Sequence, residues 1–154
     1  MRPYQFSETR QRLGPRRNSM EEQMDRIVEF KLQILRAIAV LFDAFERPTI
    51  GPDEVLGCCL QHNAREFEQL SSRSNETIYW LYKRGIVKGI LEDRAAVSYL
   101  AHARLAEWVR AILTKELSKE TGESLADLVS GRARYGGPDE MIAVSNLLFH
   151  RLSR

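Results

Sequence analysis

Apolar residues in the first third of the chain recur with a helical period. Met20, Ile27, Ile34 and Leu41 are spaced by seven, and Met24, Ile38 and Phe45 form a second row broken only by Lys31. Leu32, Leu35, Val40 and Phe42 widen the apolar surface toward the C-terminal half. Ser19 reads as an N-cap, with Glu21 and Glu22 in the first turn, where the helix dipole favours anions. The spacing predicts one long helix from Ser19 to about Glu46, ended by Arg47-Pro48, because proline disfavours helical geometry in the residue before it. One half of so long a helix packs on the domain and the other needs a partner; Met20 to Ile34 is the expected homodimer surface, unless the C-terminal helix covers it.

The pattern then shortens. Thr49 to Pro52 is a connector in which Ile50 is a candidate strand edge, and Pro52 opens a helix that buries Val55, Leu56 and Leu60. Asn63 caps a short helix from Ala64 to Leu70, and the polar run Ser71-Ser72-Arg73-Ser74 predicts a turn. A further helix starts near Asn75, with Ile78, Leu81 and Tyr82 inward and Glu76, Thr77, Tyr79 or Trp80, Lys83 and Arg84 outward. Gly85 stops it. Two β-branched runs, from Ile86 to Leu91 and from Ala95 to Leu100, flank the charged tip Glu92-Asp93-Arg94 and predict a hairpin. Ala101 to Glu116 reads as a helix with Leu105, Trp108, Val109, Ile112 and Leu113 inward. Beyond a glycine-rich hinge that contains a short helix near Ser124 to Val129, Asp139 to Leu152 forms a last helix with Met141, Val144, Leu148 and Leu152 on one face.

Charge adds a distribution rather than a total. The net +2 is too small to argue for a nucleic-acid partner. Residues 1–18 hold five arginines against Glu8, a net +4, and read as a basic flexible arm. Residues 19–30 set Glu21, Glu22, Asp25 and Glu29 against Arg26, a net −3. From Arg73 to Arg94, five cations face three acids, a net +2. Arginine predominates over lysine and suits bidentate contacts to phosphate or guanine, although a GC-rich genome gives the same bias.

Helix, polar turn, helix, glycine stop and hairpin are the parts of a winged helix-turn-helix. The runs ETIYWLYKRGIV (76–87) and AVSYLAHARLAEWV (96–109) resemble the recognition helix, wing and following helix of bacterial winged helix-turn-helix regulators. The likeness covers about residues 31–117 and is specific to the fold, not to a family within it. Two departures stand out: a helix at 53–60 ahead of the motif, and Ala101-His102-Ala103-Arg104 where a threonine or glycine usually leads into the next helix. The expected fold is mainly α, a winged helix with a small hairpin wing and added N- and C-terminal helices. It divides into the arm (1–18), the winged-helix domain (19–117), and a hinge with a C-terminal helix (118–154) that is a second candidate dimerisation element.

The resemblance implies sequence-specific binding of double-stranded DNA by a homodimeric transcriptional regulator. On that reading Ser72, Arg73, Ser74 and Asn75 sit at the exposed start of the recognition helix, where hydroxyls, an amide and a guanidinium meet phosphates and base edges. Thr77 and Trp80 lie further along the groove, Lys83 and Arg84 near the backbone, and Lys88 and Arg94 on the wing, beside the minor groove. The alternative is a winged-helix adaptor that contacts another protein through Tyr79, Trp80 and Tyr82; a plain helical bundle is the third.

Other chemistry is thin. Cys58 and His62 share a helix face beside Cys59, but no second pair gives metal-ligand spacing, so buried small residues are expected over a metal or thiol sensor. No phosphate-binding loop, and no nucleophile near His62, His102 or His150, suggests an enzyme; no cofactor or metal is expected. Two adjacent cysteines imply no disulfide framework, and no apolar run approaches the roughly 18 residues that span a bilayer. With no secretory h-region after the basic N-terminus, the cytoplasm is the expected compartment.

Overall fold

The computed structural model describes residues 19–44, 46–56, 64–115, 122–132 and 137–153. The protein is mainly helical, with one small antiparallel sheet. In chain order these are α1 (Ser19–Ala44), β1 (Glu46–Ile50), α2 (Pro52–Leu56), α3 (Ala64–Lys83), β2 (Val87–Arg94), β3 (Val97–Leu105), α4 (Glu107–Thr114), α5 (Leu125–Asp127), continued by one π-helical turn over Leu128–Arg132, and α6 (Pro138–Leu152). No helix among the described residues is long and apolar enough to cross a membrane.

The two halves of α1 differ. Residues 19–27 are exposed, whereas Ile34, Leu35, Ala37, Ile38 and Leu41 enter the core. The row spaced by seven therefore changes role along its length: Met20 and Ile27 face solvent, but Ile34, expected at a homodimer surface, is buried within the protomer. Helix α6 packs on the buried half through Val144, Leu148 and Leu152. Lys31, the break in the second row, reaches α6 by donating to Asn146 Oδ1 at 3.1 Å and lying over the Phe149 ring.

The chain turns from α1 into β1, so Glu46 is a strand residue and not a helical one. Gly51 then lies so close to Tyr99 that a Cβ there would come within 2.5 Å of its ring. Its N–H donates to Glu54 Oε1 at 2.7 Å, which satisfies the start of α2, and Pro52 supplies the first helical residue.

The polar run Ser71 to Ser74 is not a turn. Helix α3 passes through it unbroken. Tertiary contacts overrule the local preference: Ser74 and Thr77 are fully buried, and the Thr77 hydroxyl is hydrogen-bonded to the Gln33 side chain of α1 and to the Arg73 carbonyl of its own helix. Residues 57–63, between α2 and α3, lie outside the described residues, and with them the expected cap Asn63. The helix ends as its glycine requires. Gly85 adopts φ +69°, its N–H bonds the Tyr82 carbonyl, and the Ile86 N–H bonds that of Leu81. These two bonds are the Schellman pair that satisfies a helix C-terminus.

The sheet has the order β1-β3-β2, with both pairings antiparallel. Strand β3 runs to Leu105, five residues past the expected end of the hairpin, and the next helix begins only at Glu107. Alternation explains this: Ala103 and Leu105 are buried while His102 and Arg104 are exposed, and β3 has a strand on each side. A bulge interrupts the ladder between Lys88 and Ile90, opposite His102 at φ +54°. Gly89 is needed there, since a Cβ would meet the Ala101 carbonyl oxygen at 2.7 Å. Trp108, expected in the core, is part-exposed and donates its indole N–H to the Gly85 carbonyl at 3.1 Å.

Candidate nucleic-acid interface

Helix α3 buries Ser74, Thr77, Ile78 and Leu81 and exposes Ser72, Glu76, Tyr79, Tyr82 and Lys83. The ten residues expected to meet DNA therefore divide among several surroundings. Ser74 and Thr77 are inside the protein, so neither can reach a ligand. Trp80 is half-buried in an aromatic stack, 5.3 Å from the Phe30 ring of α1 and 5.6 Å from the Phe149 ring of α6. Two cations are directed at that same side of the helix: Arg84 lies 5.1 Å from the Trp80 centroid, and Arg73 pairs with Glu29 of α1 at 2.9 Å.

Asn75 has a task that its sequence neighbours do not suggest. Its carboxamide donates to the Ala96 carbonyl at 2.9 Å and accepts the Ser98 N–H at 2.8 Å. Ala95 and Ala96 form the two-residue hairpin turn, both left-handed at φ 51° and 65°. Asn75 thus ties the tip of the hairpin to α3. Ser72 is exposed on the same helix, less than one turn before it. Arg94 sits beside the turn, where it pairs with Glu92 at 2.8 Å and lies over the Tyr99 ring. The hydrogen bond to Glu92 raises the guanidinium pKa above its ordinary value. The tip also carries Asp93, which accepts the Ser98 hydroxyl at 2.9 Å.

Lys83 and Lys88 belong to the other end of the hairpin. There a groove of about 750 Å³ runs between the end of α3 and the base of β2 and β3, lined by Tyr82, Lys83, Lys88, Ile90, His102 and Arg104 among others. Arg104 and His102 escaped sequence reasoning because a helix was expected from Ala101; the alternation Ala101-His102-Ala103-Arg104-Leu105 was the available signal. Among the described residues no group of three or more His, Cys, Asp or Glu could hold a metal ion, and Cys58, Cys59 and His62 lie outside the described residues.

Compared with family models, with curated proteins and with solved structures, the chain has no match in any of the three.

Proposed function

We propose that the chain is a winged helix-turn-helix protein that binds double-stranded DNA as a homodimer and regulates transcription in the cytoplasm. The layout behind this reading is a helix, a strand, two helices and a hairpin in that order, with the first strand paired to the last. The observation that carries it is the Asn75 tether. It makes the exposed side of α3 and the hairpin tip a single rigid surface with two projections, which suits a groove and the adjoining backbone.

In this reading Ser72, Asn75 and Arg94 stay at the interface, while Ser74, Thr77 and Trp80 support it from within. Selection of genomic fragments at physiological salt tests it. Bound fragments are expected to share a motif, repeated about one helical turn apart for a two-fold dimer. Arg94→Ala should reduce the salt slope of binding by about one if that guanidinium meets a phosphate. No enrichment, together with no duplex affinity at low salt, would reject the reading.

One observation favours the adaptor reading instead. Tyr79, Tyr82, Ile90 and Trp108 are large apolar residues left exposed around α3 and the hairpin base. Trp80 does not belong to that set, because Phe30 and Phe149 cover it.

A further inference from the structure

Two surfaces of this chain complement each other and lie at opposite ends of the protomer. The first is the exposed beginning of α1. Met20, Met24 and Ile27 are 68%, 59% and 51% exposed at spacings of four and three, so they form one apolar stripe. The segment that carries them, residues 19–30, has a net charge of −3. The second is the groove at the hairpin base. Ile90 is 58% exposed there, next to Tyr82, with Lys83, Lys88 and Arg104 around them. No carboxylate lines this groove among the described residues; Glu46, on the neighbouring strand, is 3.8 Å from His102.

These surfaces cannot meet within one chain. Helices α1 and α3 run parallel, as the pairs Glu29–Arg73 and Gln33–Thr77 establish. Met24 therefore lies before the first pair, and Lys83 lies well beyond the second. At 1.5 Å per helical residue the two surfaces are about 20 Å apart along the helix direction. A second copy laid alongside in the antiparallel sense brings each helix end to the other's groove. The contact then occurs twice about a two-fold axis and closes on itself.

We infer that the acidic, apolar first turns of α1 dock into the basic groove between α3 and the hairpin base of a second copy, forming a reciprocal homodimer. The occupant follows from chemistry: an acidic segment with an apolar stripe matches cations set around an exposed isoleucine. Direct packing of one α1 stripe on another would instead bring two segments of net −3 together. This inference rests on the homodimer of the proposed function and specifies its interface; it does not depend on DNA binding.

Charge exchange in the full-length chain, followed by sedimentation without DNA, tests it. Lys88→Glu with Arg104→Glu makes the groove acidic, and Glu21→Lys, Glu22→Lys and Asp25→Lys make the helix basic. Each variant alone is expected to self-associate about a hundredfold more weakly than wild type, because both contacts become repulsive. Mixing the two should restore a dimer, since each helix then meets a groove of opposite charge. Ile90→Ser, which leaves every charge in place, should also weaken the dimer, and added salt should weaken the wild type. A wild-type chain that stays monomeric at its highest soluble concentration overturns the inference. So does a groove-reversed variant that dimerises like wild type, or a mixture that remains monomeric. Loss of DNA binding with the dimer intact would reject the proposed function and leave this interface standing.

Discussion

The side-chain oxygen of Asn75 accepts the backbone N–H of Ser98 at 2.8 Å, and through that bond a helix sets the position of a hairpin. The same carboxamide donates to Ala96, so both of its polar ends are used. Asn75→Ala should cost about 1 kcal/mol, as expected for lost hydrogen bonds at a partly solvated site. Asn75→Asp keeps the acceptor for Ser98 but sets a carboxylate oxygen against the Ala96 carbonyl, so its cost should be at least as large. Denaturant unfolding measures both, and faster amide exchange at Ser98 should accompany the first. If the surface binds DNA, Asn75→Ala should also weaken binding by more than its stability loss explains.

The turn that Asn75 holds contains two alanines in a left-handed conformation that asparagine and glycine adopt more readily. For an alanine the conformation costs roughly 1–2 kcal/mol. Replacing Ala95 by Asn and Ala96 by Gly should therefore raise stability by about 1–2 kcal/mol. The check is a higher urea midpoint with an unchanged slope. Because the Ala96 carbonyl remains, the bond from Asn75 should survive the change.

Gln33 and Thr77 are a buried polar pair between α1 and α3. Gln33 also donates to Glu29, which receives Arg73, so a short chain of polar contacts joins the two helices. Thr77→Val alone should cost about 1–3 kcal/mol by leaving the glutamine oxygen unsatisfied. Gln33→Leu with Thr77→Val should cost less than the sum of the single changes, and a double-mutant cycle reads the difference.

Trp80 separates a structural role from a DNA-reading one. Trp80→Ala should destabilise by about 3 kcal/mol, the low end for an aromatic that is only half-buried. Its coupling to Phe149 should be about 1 kcal/mol in a double-mutant cycle. At a temperature where the variant stays folded, its DNA affinity should remain within a few-fold of wild type. A selective loss of affinity with stability intact would return Trp80 to the interface.

These residues also mark how far the sequence could be read. Helix α1, the glycine stop at Gly85 and the hairpin were legible because periodicity and a left-handed glycine are local signals. Ser71 to Ser74 misled because serines favour turns only until a neighbour accepts them, and Gln33 is 44 residues away from Thr77 in the chain. The extent of β3 was hidden by alanine, which suits a helix and a strand alike where it is buried between two pairing strands. The tie from Asn75 to the hairpin was hidden because its acceptor and donor are backbone groups that the sequence does not display.

Gly89 and His102 give the hairpin a change of phase. Toward the tip the side chain turned inward from β3 is even-numbered Leu100, whereas toward the base it is odd-numbered Ala103 and Leu105. One surplus residue therefore lets a single strand serve two differently oriented floors, and frees Arg104 to face outward. Deleting His102 would leave Leu100, Ala103 and Leu105 inward and Arg104 outward on a regular ribbon, whereas closing the bulge with His102 retained would put the arginine under the sheet or slip the ribbon by one residue.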